Sequence, residues 1–340
     1  MEQDLSLTML NNKTVLLTGG TGSFGQGFIK KIISDYPKIK KLIILSRDEL
    51  KQYEMAEKLN LKKNNFLRFV LGDVRDKDRL KFAFKEVDIV VHAAALKQVP
   101  TAEYNPFEFI KTNIIGAQNI IDCSLDSNVE KVIALSTDKA TAPINLYGAT
   151  KLCSDKLFVS ANNIVGKRNL KFSVIRYGNV NGSRGSIIPY FLKQKETGTL
   201  TITDPSMTRF SIDLEHGVKM VLDAINENLI GGEIFVPKIP SYRILDLAKA
   251  ICPNCKIKYI GIRPGEKIHE QMVTENDSLN TFGNNKNYVI LPSHDQHRRN
   301  FYLKKSNFKP VKKGFSYDSN NNSTFLTIEQ LKSIIKKYSA

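Results

Sequence analysis

No apolar stretch in this sequence approaches the roughly 20 residues that span a bilayer. The segment Met1 to Leu10 carries acids but no basic region of the kind that opens a secretory signal. Neither membrane insertion nor secretion is therefore expected, and the cytoplasm is the expected location. Cysteine is scarce, with Cys123, Cys153, Cys252 and Cys255 only. Cys252-Pro-Asn-Cys255 has the spacing of a metal or redox pair, but no second such pair completes a zinc site, and no metal is expected. It follows a helix-like run, Ile244 to Ile251, and reads as two free thiols in a turn. Internal repeats and low-complexity segments are also missing.

Acids are in deficit: 50 lysines and arginines against 34 aspartates and glutamates leave a formal charge of +16. Such a charge suits nucleic acid, an anionic membrane or an acidic small molecule. The basic residues are spread along the whole chain and form no stripe interleaved with aromatics. Nucleic acid is therefore not an expected partner, and local anion pockets within a solvated lysine surface are. A length of 340 residues allows one large or two medium domains.

What is present is a regular alternation. Thr14-Val-Leu-Leu-Thr18 is a β-rich run ending in glycines, and Phe24, Phe28, Ile29, Ile32 and Ile33 then recur at helical spacing. Further buried strands are expected at Leu42–Leu45, Phe66–Leu71, Val87–Val91, Val129–Leu135 and Phe172–Arg176, with helix-like segments between them. Continuous apolar strands alternating with helices imply an α/β fold, a doubly wound parallel sheet of Rossmann type. After about residue 180, Gly and Pro punctuate shorter elements, which predicts a smaller C-terminal lobe. Residues 1–180 are thus expected to form a dinucleotide domain, completed by a segment within 210–240, and 181–340 mainly a substrate lobe. Thr327-Ile-Glu-Gln330 is a capping-box pattern that opens a last helix, with Ile328, Leu331, Ile335 and Tyr338 facing inward.

Gly19-Gly-Thr-Gly22-Ser-Phe-Gly25 lies between the first strand and the first helix, the context a dinucleotide cradle requires. Its glycines serve the tight turn, the close approach of backbone to pyrophosphate and close helix–strand packing. The second strand ends in Ser46-Arg47-Asp48. An acid at that position binds the ribose of NAD, whereas a guanidinium suits a 2′-phosphate. NADP is the preferred cofactor, the alternative being an idle Arg47 with Asp48 on the ribose of NAD. Gly72-Asp73-Val74 is placed to lie beside adenine, and Ala93-Ala-Ala95 to admit the cofactor closely; both also fit generic strand-to-loop transitions. Tyr147-Gly-Ala-Thr-Lys151 puts a phenol and an ammonium on one helical face. An ammonium at that distance lowers a phenol's pKa and makes it a base toward a sugar hydroxyl.

Gly19–Gly25, His92-Ala-Ala-Ala95, Asn113, Tyr147 and Lys151 together resemble the extended short-chain dehydrogenase/reductase superfamily of nucleotide-sugar enzymes. Ser46-Arg-Asp-Glu-Leu-Lys51, Leu135-Ser-Thr-Asp-Lys-Ala140, Asn145-Leu-Tyr-Gly-Ala-Thr-Lys151, Arg176-Tyr-Gly-Asn-Val180 and Gly261-Ile-Arg-Pro-Gly-Glu-Lys267 narrow the resemblance to the inverting UDP-N-acetylglucosamine 4,6-dehydratases. The likeness runs from about residue 10 to the final helix; it is weakest over Asp277 to Asn322, and Cys252-Pro-Asn-Cys255 is foreign to it.

That resemblance implies a lyase acting on UDP-GlcNAc with a tightly bound NADP, in the pseudaminic acid pathway of flagellin glycosylation, and a homo-oligomer, a hexamer. It implies cofactor contacts from Thr21, Ser23, Phe24, Glu49, Leu50, Lys51, Thr112 and Val180 besides the residues above. Substrate contacts are implied for Lys97, Asn179, Arg184, Arg209, Arg263 and Glu266. A Ser or Thr at the end of the fifth strand hydrogen-bonds the reacting sugar oxygen in that superfamily, which suits Thr137. Dehydration needs a further acid and a further base, and Asp138 and Lys139 follow Thr137 directly. Lys139 must be neutral to act as a base, so the site is expected to depress its pKa; the alternative is a turn with a solvated lysine. Rival readings are a retaining dehydratase, a UDP-sugar 4-epimerase and a non-catalytic NADP-binding regulator.

Overall fold

The computed structural model describes residues 9–338 except 184 and 294, so the expected substrate residue Arg184 lies outside the described residues. Branched and aliphatic runs that are apolar on both faces become strands buried on both sides. Six occur before residue 178: β1 (Thr14–Thr18), β2 (Lys41–Ser46), β3 (Leu67–Leu71), β4 (Ile89–His92), β5 (Lys131–Thr137) and β6 (Lys171–Tyr177). The shorter later strands are β7 (Asn179–Val180), β8 (Thr199–Ile202), β9 (Thr208–Ile212), β10 (Ile234–Pro237), β11 (Ser241–Arg243) and β12 (Lys256–Tyr259). They continue as β13 (Gln271–Val273), β14 (Thr281–Gly283), β15 (Asn287–Ile290), β16 (Lys309–Pro310) and β17 (Tyr317–Asp318).

The main sheet runs β16-β14-β15-β10-β6-β5-β4-β1-β2-β3. Every pairing from β3 across to β10 is parallel; β15, β14 and β16 extend it antiparallel. The chain winds outward from β1 to β3, then restarts on the other side at β4. The doubly wound sheet is as the alternation predicts, and its switch point, where such folds bind ligands, lies between β1 and β4. The helix Ser23–Asp35 turns Gly25, Phe28, Ile29 and Ile32 onto the sheet, the spacing read from the sequence.

A second core of Ile188, Phe191, Leu200, Ile202, Tyr242 and Leu247 lies apart from the sheet. The helix Ile328–Lys336 seals it with Leu331 and Ile335, and its start carries the expected capping box between Thr327 and Gln330. One expectation is corrected here: Cys252 and Cys255 are not free thiols but a disulfide, with Cα atoms 5.4 Å apart. The helix Ile244–Ile251 ends at Cys252, and the turn that follows brings Cys255 back within bonding reach, which spacing alone could not establish.

The main core can be probed at Phe172 on β6, fully buried against Phe158 at a ring distance of 6.3 Å. Phe172→Ala is expected to cost about 3–5 kcal/mol of stability, as large-to-small changes at buried aromatics do. Urea unfolding measures it, and a loss under about 1 kcal/mol would contradict the packing.

Candidate active site

The carboxyl ends of β1, β2, β4 and β5 open onto one cleft of about 660 Å³. Gly19 follows β1 with φ +69°, and a Cβ there would sit 2.8 Å from the Ala94 nitrogen, so only glycine brings this turn against the β4 loop. At Gly25 a Cβ would run into the Gly20 carbonyl, which holds the helix tight to the turn. Helix Ser23–Asp35 is capped by Gly22 with no side-chain cap and no acid in its first turn. Its first N–H groups thus face the cleft as an anion site. Thr21, Gly22, Ser23 and Phe24 line the cleft, as do Val74, Ala93, Ala95, Thr112 and Val180.

At the end of β2, Ser46, Arg47, Asp48 and Lys51 reach the same cleft. Asp48 accepts from the Lys51 backbone N–H at 3.0 Å as the N-cap of Glu49–Lys58, and its carboxylate also pairs with the Lys51 ammonium. Arg47 stays half exposed, with Nη1 3.6 Å from Asp73. Asp73 itself accepts from the Arg75 backbone and guanidinium at 2.7–2.9 Å. Burial alone would raise the Asp73 carboxyl; those Arg75 bonds outweigh it and hold the group below the usual range. Glu49 and Leu50 do not line the cleft, and Leu50 is exposed on the helix surface.

Thr137 ends β5, and a single 3₁₀ turn, Asp138–Ala140, follows. Thr137 Oγ1 accepts from the Lys139 backbone N–H and donates to Asp138 Oδ1 at 3.0 Å. The helix Leu146–Ala161 begins at Asn145, whose side chain caps Gly148 N at 2.7 Å and donates to the Gly265 carbonyl at 2.7 Å. A Cβ at Gly148 would overlap the Lys139 carbonyl, so the glycine between Tyr147 and Lys151 lets the helix press on the Asp138–Ala140 turn. Lys151 Nζ donates to the Leu135 carbonyl at 2.8 Å. Burial pushes the Tyr147 phenol up to about 12, against the lowering pull of Lys139 and of its hydrogen bond to Thr137. The lowering expected from Lys151 does not govern: burial does, and the cation that pulls the phenol down is Lys139.

Lys139 carries a second correction. Its ammonium lies 3.1 Å from Asp138 Oδ1 and 2.9 Å from Glu270 Oε1. Burial would depress the amine, as expected from the sequence, but the pull of the two carboxylates reverses the direction and raises it. Asp138 is raised instead, by burial first and by Glu270, against the pull of Lys139. Glu270 was not found from the sequence: it stands 131 residues from Lys139, before β13, and its only local mark is an acid set against the apolar Met272–Val273.

The expected substrate residues divide. Lys97, Asn179 and Glu266 line the cleft beside Lys139, and burial, with Lys139 nearby, lowers Lys97. Arg263 lines an adjoining cavity of about 290 Å³ that also contains Asn179, Glu266 and Lys139. Arg209 lines that cavity too, and its Nη1 and Nη2 donate to the carbonyls of Thr208, Ile268 and Lys267 at 2.7–2.9 Å. It clamps the segment that carries Glu270. Among the described residues no cluster could hold a metal ion.

His92 at the end of β4 is buried with Nδ1 2.9 Å from Thr18 Oγ1. Burial first, and Lys151 second, lower it to about 3. A histidine depressed in the folded state binds its proton only on unfolding, so its contribution is lost as pH falls below the unfolded value near 6.5. The expected loss between pH 7 and 5 is about 2 kcal/mol. It is read as the stability difference that His92→Asn removes; an equal pH slope in both proteins would refute it.

The family model described as "Polysaccharide biosynthesis protein" matches residues 15–292. A UDP-N-acetylglucosamine 4,6-dehydratase (inverting) of Campylobacter jejuni is 54% identical over 96% of this chain and 98% of its own. A UDP-glucose 4-epimerase of Rickettsia bellii is 45% identical over 79% of this chain and 80% of its own. Among solved structures, Pen from Bacillus thuringiensis superposes with a TM-score of 0.87 at 34% identity, covering 96% of this chain and 98% of that one. With a matched model over most of its length and relatives this similar across nearly all of it, the chain belongs to the polysaccharide biosynthesis protein family.

Proposed function

We propose that this chain is an inverting UDP-N-acetylglucosamine 4,6-dehydratase, a hydro-lyase working on bound NADP. The observation that carries the reading is the pair Asp138 and Lys139 set directly behind Thr137 in the Tyr147 cleft. A 4-epimerase needs little beyond a hydroxyl and a tyrosine at the reacting oxygen, whereas loss of water across C5 and C6 needs one more acid and one more base. The likeness to the Campylobacter enzymes supports the same reading.

The cradle fits a dinucleotide: Gly19 and Gly25 leave no room for a Cβ, and the helix at Gly22 offers bare N–H groups to a pyrophosphate. Arg47 and Lys51 favour a 2′-phosphate, and Asp48 is engaged as a helix cap and with Lys51. When bound, a nicotinamide dinucleotide supplies a hydride acceptor for C4 and a hydride donor for C6, with no net redox change. Tyr147 takes the 4-hydroxyl proton, and Lys151 braces the helix under it. Lys139 takes the C5 proton, made acidic by the 4-ketone. Asp138, which burial makes easier to protonate, gives its proton to the departing 6-oxygen. A proton drawn from solvent then returns to C5 from the opposite face, which inverts that centre, and Tyr147 releases the 4-hydroxyl proton to solvent in exchange. Asn179, Glu266, Arg263 and Lys97 are the groups that meet the UDP-sugar. On this reading residues 1–180 with a segment within 210–240 hold the cofactor, and 181–340 mainly the substrate. It also places the protein in pseudaminic acid synthesis for flagellin glycosylation, in the cytoplasm, as a homo-oligomer, a hexamer.

Incubation with UDP-GlcNAc in D₂O, followed by NMR, is expected to give a 4-keto-6-deoxy sugar deuterated and inverted at C5. Retained configuration or a simple 4-epimer would select one of the rivals, and an unchanged sugar would leave only cofactor binding. Lys139→Ala is expected to slow C5 exchange by about 100-fold or more, the scale of a lost general base. Arg47→Ala is expected to weaken NADP by about tenfold and leave NAD nearly unchanged, as loss of a charge-assisted bond to phosphate does. Titration of both dinucleotides decides it, and an undiminished NADP preference would overturn the assignment.

A further inference from the structure

Glu270 has no part in the steps above, yet of Lys139's two carboxylate partners it is the one that comes from outside the lysine's own turn. Its side chain is 2% exposed, and it arrives from the segment ahead of β13. Oε1 lies 2.9 Å from Lys139 Nζ and 3.7 Å from Arg209 Nε, while Oε2 has no hydrogen-bond partner among the described residues. Asp138, buried on the other side of the same ammonium at 3.1 Å, also has one oxygen, Oδ2, without a partner. Two buried carboxylates on one lysine are costly to desolvate, more than fixing a side chain of the turn requires. The two acidic groups beside it, Asp138 first and Glu270 second, raise Lys139 against burial and keep it protonated at rest, while burial raises Asp138, which holds the other proton of the trio. A base must first lose that proton, and an acceptor already in hydrogen-bond contact is the short route.

We propose that Glu270 is a positioning residue for dehydration, which holds Lys139 beside Asp138 and takes from Lys139 the proton it must lose to act as base at C5. The proposal rests on the dehydratase reading. One Lys139 Nζ–H bond breaks as a Glu270 Oε1–H bond forms, turning ammonium and carboxylate into amine and carboxylic acid with no change of total charge. The amine then forms an N–H bond with the C5 proton, and the C5–H electron pair passes into the enolate of the 4-ketone. Asp138, raised by burial and by Glu270, starts the cycle as the carboxylic acid; it gives that proton to the 6-oxygen, which leaves as water, and is left as the carboxylate. Lys139 afterwards passes a proton to the Asp138 carboxylate 3.1 Å away, and Glu270 returns the one it held.

The charges facing Lys139 come from every side of the site. Asp138 shares its turn, Glu270 precedes β13, Arg209 comes from β9 and Lys97 from the loop after β4. Tyr147 on its helix, Tyr242 on β11 and Lys267 beside Glu270 complete the set. Against burial, Lys139 first and Arg209 next hold the Glu270 carboxyl below its usual range, so it stands ionised at rest and free to accept a proton.

The test uses the full chain with its cofactor and UDP-GlcNAc in D₂O. C5 deuteration is followed by NMR, and cofactor reduction by the near-ultraviolet absorbance of reduced nicotinamide. Glu270→Gln, nearly isosteric, is expected to slow C5 exchange by about 100-fold, with KM and the cofactor-reduction signal within about twofold of wild type. Its exchange rate is expected to climb between about pH 7 and 9, where the wild-type rate is flat, because Lys139 then loses its proton only to solvent. Glu270→Asp, which keeps a carboxylate, is expected to recover part of the rate, and it carries the same comparison should Glu270→Gln not fold. Wild-type exchange with an unchanged pH profile in Glu270→Gln would overturn the proposal. So would an equal fall in exchange and cofactor reduction, the mark of a merely structural residue. Wild-type protein that neither reduces cofactor nor labels C5 would refute the dehydratase reading, and the relay with it.

Discussion

The parallel alignment of β1, β2, β4 and β5 is the constraint on which the site depends. Parallel strands deliver all their carboxyl ends to one edge, and the reversal of winding between β1 and β4 parts the loops there into a crevice. The glycine turn after β1, Arg47 after β2, Ala93 to Lys97 after β4 and Thr137 to Lys139 after β5 therefore share one cleft, although they are scattered over 120 residues. The helices carry out the fine placement. Helix Ser23–Asp35 presents its bare N-terminus, and Leu146–Ala161 leans on the β5 turn through the missing side chain of Gly148.

Charge balance then decides how the cleft works. Beneath it, Ser136 and Arg176 both bond Asp155, and Arg176 also reaches the Met272 carbonyl, so β5, β6 and β13 are tied by one buried network. Above it, Lys139 lies between Asp138 and Glu270 and takes its protonation state from them rather than from burial. Arg209, with Nη1 and Nη2 given to three backbone carbonyls, fixes the segment that delivers Glu270. Residues far along the chain thus bring a carboxylate to the sheet edge.

Much of this was legible in the residue order. Apolar runs such as Thr14–Thr18 and Phe172–Arg176 carry their burial in their composition, and the glycine spacing after β1 admits few other geometries. The capping box at Thr327 was equally plain, because its partners are three residues apart. Protonation was not legible. The sequence places Lys139 next to Asp138 but says nothing of Glu270, and without the second carboxylate the direction of the Lys139 shift comes out reversed. Tyr147 went the same way: the spacing to Lys151 suggested a lowered phenol, while burial, a property of the whole fold, outweighs it. The Cys252–Cys255 bond likewise depended on how the turn closes.

The sequence by itself determined the sheet, the glycine turn after β1 and the identity of the groups along β5 and its following helix, because these rest on periodicity and contacts a few residues long. Only the tertiary structure decided which charges face one another across the cleft, since Coulomb interaction depends on distance in space, and Glu270 reaches Lys139 only once β13 is packed against the 3₁₀ turn after β5.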